Sequence, residues 1–178
     1  MGCDIHGWIE LRRKDNGEWI SAARVTGDRN YSWFSIIASV RGGDPESAIA
    51  YPRGVPSNAS YAVKQDHKEW CGDAHSETFI TVAEIGEAWR RFVDNAGSTE
   101  TGELQSALAA ASGNAVSYRD KIRNLKCAER INDFLPINDF LPEYSNIWEF
   151  ASIDEDLNPT LYEDKWYDDL RMVVWFDN

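Results

Sequence analysis

An Asn16-Gly17 step stands between two runs of alternating apolar and polar residues, and it constrains the fold more tightly than any other feature of the sequence. In residues 3–12, Cys3, Ile5, Ile9 and Leu11 share one strand face, while Asp4, His6, Trp8 and Glu10 share the other. Asn-Gly supplies the positive φ angles of a tight turn, so Lys14-Asp15-Asn16-Gly17 reads as a turn and residues 18–25 as the returning strand. The chain therefore opens with a β-hairpin. It ends in Arg171-Met172-Val173-Val174-Trp175-Phe176, a β-rich run suited to the interior of a sheet and expected beside that hairpin.

Helical spacing fills the region between. Trp33, Phe34, Ile37 and Val40 predict a helix over 30–41, ended by Gly42-Gly43-Asp44-Pro45. Tyr51-Pro52-Arg53-Gly54-Val55-Pro56 is an ordered loop, because each proline removes a donor and restrains its predecessor. A short helix is expected over 59–70, a break at Cys71-Gly72-Asp73 and an extended piece around Thr78-Phe79-Ile80. Thr81 and Glu84 match a capping box, with Val82, Ile85, Trp89 and Phe92 on one face of the helix that follows. Segments at 104–111 and around Tyr118, Ile122 and Leu125 suit an αα-hairpin. Ile131-Asn132-Asp133-Phe134-Leu135-Pro136 is nearly repeated at 137–142, as a short loop duplication would be. The expectation is a single α+β domain over 1–178: the hairpin and the C-terminal strand in one small mixed or antiparallel sheet, packed by several helices.

A hydrophobic fraction of 43% with 8 Trp supplies enough apolar area to offset the ordering entropy of a chain of 178 residues. Cys3, Cys71 and Cys127 are an odd, unpaired set, ordinary for a reducing cytosol. No basic, then apolar leader opens the chain, and no apolar run reaches the roughly 18 residues of a membrane span, so a cytoplasmic protein is expected. The formal charge of −12 is concentrated late: residues 129–178 hold 13 acidic and 3 basic side chains, against 17 and 15 in residues 1–128. That field opposes duplex nucleic acid and leaves a small ligand in a local pocket, or a basic protein surface docked on the acidic third, as partners. An oligomer is compatible with all of this.

The chemistry-bearing residues form two sets. His6, His67 and His75 each follow an aspartate by one or two positions, in Asp4-Ile5-His6, Asp66-His67 and Asp73-Ala74-His75. In extended backbone the i, i+2 spacing turns both side chains to one face, so Asp4 with His6 and Asp73 with His75 can chelate Zn²⁺, Mn²⁺ or Fe²⁺. A metal-bound water would then be the nucleophile, with Asp73 and His75 as catalytic residues. The plainer alternatives are hydrogen bonding of His6 within the sheet, packing of His67 with Val63 and Trp70, and a loop role for His75. Arg29, Tyr31, Arg41 and Arg53 make the second set: arginine forks match phosphate and tyrosine offers a stacking surface, with Ser76 as a further ligand contact. Surface ion pairs are the competing reading of the arginines. Cys3 points away from its strand neighbours' face that holds His6, which argues against a thiolate nucleophile.

Met1-Gly2-Cys3-Asp4-Ile5-His6, Arg29-Asn30-Tyr31, Pro52-Arg53-Gly54-Val55-Pro56, His75-Ser76 and Val174-Trp175-Phe176-Asp177-Asn178 together resemble a family of small bacteriophage and prophage proteins that begin and end in this way. The resemblance implies a phage origin and a host-cytoplasm location, and it lends no catalytic residues. Family members carry a second histidine near the position of His75, where this chain has Asp73, Ala74 and Glu77. Among small phage proteins, three counter-defence roles suit these residues. They are a metal-dependent phosphoester hydrolase acting on a nucleotide-like ligand, a non-catalytic sponge for a nucleotide signal, and an acidic protein blocking a host defence protein.

Overall fold

A computed structural model describes residues 2–25, 29–42, 44–88, 91 and 162–178. The order of elements is β1 (Ile5–Arg13), β2 (Trp19–Val25), α1 (Tyr31–Ala38), a 3-10 turn (Pro45–Ser47), α2 (Tyr61–Glu69), β3 (His75–Thr81) and β4 (Tyr167–Phe176), with residues 82–88 helical after β3. The four strands form one antiparallel sheet in the order β2-β1-β4-β3, so the expected α+β architecture is present and the C-terminal strand lies in its interior beside the hairpin. The αα-hairpin at 104–125, the repeat at 131–142 and Trp89 and Phe92 lie outside the described residues.

Local chemistry sets the turns. Gly17 has φ +71 and its N–H donates to the Arg13 carbonyl at 2.9 Å, while the Glu18 N–H is taken by Asn16 Oδ1 at 2.9 Å. The capping box is formed: Thr81 N–H donates to Glu84 Oε2 at 3.0 Å and Glu84 N–H to Thr81 Oγ1 at 3.3 Å. Helix α1 begins where Asn30 Oδ1 accepts from Trp33 N–H, but it stops at Ala38 and not at the glycines. Ser39 takes the left-handed conformation with φ +58, and the chain turns there so that Val40 enters the core.

Both faces of the sheet are covered. On one, Ile5, Ile9, Leu11, Leu170, Met172, Val174 and Phe176 pack with Trp33, Phe34 and Ile37 of α1. On the other, Val173, Trp175, Trp8 and Phe79 pack with Ala59, Val63 and Trp70 at α2. The strand alternation that separates Ile9 from Trp8 and Glu10 therefore distinguishes two cores, rather than a core from solvent.

Candidate functional site

Antiparallel pairing of β1 with β4 runs from Ile5 opposite Phe176 to Arg13 opposite Tyr167. It joins the beginning of the described chain to its end, and the Asp177 N–H donates to the Asp4 carbonyl at 3.2 Å just past the register. Most segments behind the phage resemblance meet at this end of the sheet. Asp4 N–H donates to Asp177 Oδ1 at 2.9 Å, and Cys3 N–H to the Tyr31 hydroxyl at 3.4 Å. Arg29 grips the Asp4 carboxylate with both Nε at 2.6 Å and Nη2 at 2.9 Å. Arg41 Nη2 reaches the Gly2 carbonyl at 3.2 Å and Asn178 Oδ1 at 3.1 Å. A Cβ on Gly2 would lie 1.9 Å from the Arg29 guanidinium, so a side chain there would shift that flexible arginine from this pose.

The fork of Arg29 holds the Asp4 carboxyl below its ordinary value. Burial pushes the Cys3 thiol up, against a neighbouring Arg41 that lowers it, and the side chain belongs to the α1 core. It is not an activated nucleophile.

The two Asp-x-His couples are not brought together. His6 stands opposite Trp175 on β4, and its ring lies 4.0 Å from that of Trp70 at the end of α2. His75 stands opposite Phe176, the next residue of β4, and stacks on that ring at 6.2 Å. Trp175 packs under α2 and Phe176 under α1, so the imidazoles occupy opposite faces of the sheet. Asp73 lies exposed in the turn after α2, where its N–H donates to the Trp70 carbonyl at 2.8 Å. Among the described residues no group of three His, Cys, Asp or Glu side chains is placed to hold a metal ion.

Other partners occupy these histidines. His6 Nε2 is 3.4 Å from Asp177 Oδ2, close enough for an ion pair yet too poorly aligned for a hydrogen bond, so the buried nitrogen has no hydrogen-bond partner among the described residues. His67 Nε2 meets Glu77 Oε1 at 3.1 Å, and its ring sits edge-on to Trp175 at 5.3 Å. His75 Nδ1 meets the hydroxyl of Ser76 at 3.0 Å, leaving its buried Nε2 without a hydrogen-bond partner among the described residues. Ser76 has φ +54 at an irregularity of the β3–β4 register, a backbone position that non-glycine residues seldom adopt.

Of the arginine set, Arg29, Arg41 and Tyr31 assemble and Arg53 does not. Arg53 pairs with Glu84 through Nη2 at 2.6 Å and Nη1 at 3.1 Å and donates to the carbonyls of Ile49 and Phe79. It ties the 51–56 loop to β3 and the following helix, as does the Gly54 N–H bond to the Glu77 carbonyl at 2.8 Å. Sequence reading gave no site role to Asp177 or Asn178, and it set Trp70 beside His67, whereas its ring meets His6. Asp177 is opposite Asp4 only once the β1–β4 register is known, and no short-range pattern announces it. Comparison with known proteins gives no match of this chain to a family model, to a curated protein or to a solved structure.

Proposed function

We propose that this chain is a nucleotide-handling protein of the phage counter-defence kind, which binds a phosphate-bearing ligand at the joined ends of β1 and β4 and withholds it from a host effector. The supporting observation is the convergence of Arg29 and Arg41, from the two sides of α1, on residues 2–4 beside the exposed ring of Tyr31. A phosphate presents the same fork-matching oxygens as the Asp4 carboxylate. An exposed ion pair of this type contributes little, so the exchange of Asp4 for phosphate costs little. Tyr31 offers its ring to a base.

The binder is preferred to the metal-dependent hydrolase because hydrolysis was to use Asp4, His6, Asp73 and His75 around one ion. Here Asp4 is engaged by Arg29, and the imidazoles lie on opposite faces. The docking alternative rests on the acidic residues of 129–178, and residues 129–161 of that stretch lie outside the described residues.

The test is calorimetric titration with linear and cyclic nucleotides, together with mass spectrometry of small molecules released from heat-denatured protein. At least one nucleotide is expected to bind saturably with no turnover and no effect of EDTA. Arg29→Gln and Tyr31→Ala should each weaken that binding about tenfold. Full affinity in Arg29→Gln removes this site, and EDTA-sensitive turnover replaces the binder with the hydrolase.

A further inference from the structure

At the other end of the sheet, where β1 finishes and β4 begins, a depression of about 420 Å³ is lined by Arg13, Lys14, Asp15, Ile20 and Trp166. Its size falls within the range of about 300–1,000 Å³ usual for small-molecule sites. β1 separates it from the joined termini by nine residues, roughly 25–30 Å of strand.

Three features there are suited to one kind of ligand. Trp166 is 55% exposed although it belongs to a largely buried aromatic group, and its ring is held edge-on to Tyr167 at 5.1 Å. An indole fixed in this way offers a flat apolar surface whose orientation is already set. Lys14 Nζ donates to the carbonyl oxygens of Tyr162 at 2.5 Å and Glu163 at 3.2 Å. These acceptors are neutral, so they fix the position of the ammonium without cancelling its charge. Arg13 pairs with Asp15 at the surface, a bond that an incoming anion can displace at small cost. Two cations, Arg13 and Lys14, line the depression beside the exposed indole together with one carboxylate, Asp15.

We infer that this depression binds a planar aromatic ring bearing a phosphate, with Trp166 stacking on the ring and Lys14 and Arg13 meeting the phosphate. The inference is independent of the ligand site at the joined termini. Ring stacking and charge each contribute part of the affinity, so neither half of the ligand should bind well alone.

The probe is AMP, with adenosine and inorganic phosphate as its separated halves, titrated calorimetrically into the full chain. Saturable AMP binding is expected, with either half at least tenfold weaker. Trp166→Ala and Lys14→Gln should each weaken AMP about tenfold. Trp166→Phe, which keeps a stacking surface, should hold most of the affinity. Unchanged affinity in Trp166→Ala overturns the inference, as does the absence of saturable AMP binding by the unaltered protein.

Discussion

Glu10 and Arg171 face each other across β1 and β4 with almost no exposure, at 0% and 6% of their surfaces. Arg171 Nε donates to Glu10 Oε2 at 2.7 Å, and Glu10 Oε1 accepts the Ser60 N–H at 2.7 Å, so one carboxylate serves both a guanidinium and the start of α2. Asn58 Oδ1 takes Arg171 Nη1 at 3.0 Å, and the guanidinium lies 3.9 Å from the Trp19 ring. Burial pulls the Arg171 pKa down and Glu10 pulls it up. Removing one partner strands the other charge in a dry setting. Glu10→Ala and Arg171→Ala should therefore each cost about 3–5 kcal/mol in urea unfolding, whereas Glu10→Leu combined with Arg171→Met should recover much of the loss. Additive losses would show that the pair is not coupled. None of this was legible in the sequence: Glu10 sat on the polar side of an alternating run, where solvent is the ordinary partner.

Elements were more legible than the contacts between them. The hairpin, α1, α2, the Thr81 start and the last strand all follow from turn chemistry, capping and periodicity, which act within a few residues. Their ends are less so, since Ser39 rather than Gly42 terminates α1 by adopting positive φ. Thr81→Ala should cost about 1 kcal/mol through the lost cap, read as a lower urea midpoint with an unchanged slope. Gly7 shows where one strand needs its neighbour to be understood. It has φ +153, and a Cβ there would lie 2.0 Å from the Val173 carbonyl oxygen across the β1–β4 ladder. Gly7→Ala should destabilise by about 2 kcal/mol or more, because neither backbone can retreat within the sheet. A loss below about 0.5 kcal/mol would mean that the two strands do not approach so closely.

At the scale of the molecule, carboxylates that bridge distant segments give the fold a modest sensitivity to acid. Asp4 is held below its ordinary value by Arg29. Burial raises Glu84, but its bonds to Arg53 and Thr81 outweigh that and hold it low. A carboxyl with a lowered folded-state pKa contributes stability in full above its unfolded value, and the contribution is lost as pH falls through the folded one. Urea stability should thus be flat near neutrality and decline below the ordinary values of 3.8 and 4.5 for these groups. Arg53→Gln removes the main support of Glu84 and should make that decline shallower; an identical acid profile would deny Glu84 its part.

The sequence by itself determined the segments and much of their identity: a hairpin at Asn16-Gly17, a sheet-interior strand at the C-terminus, a capped helix after Thr81, and the α+β class. These depend on backbone preferences and side-chain period, which are encoded locally. It also named Asp4, His6, Arg29 and Tyr31, although as members of two separate constellations. Only the tertiary structure decided which face each strand turned to which helix, and with that the fate of the histidines. Because consecutive residues of β4 point to opposite sides, pairing His6 with Trp175 and His75 with Phe176 divides the two imidazoles between α2 and α1. Register is a long-range property set by how both faces bury their apolar side chains together, and no window of neighbouring residues contains it.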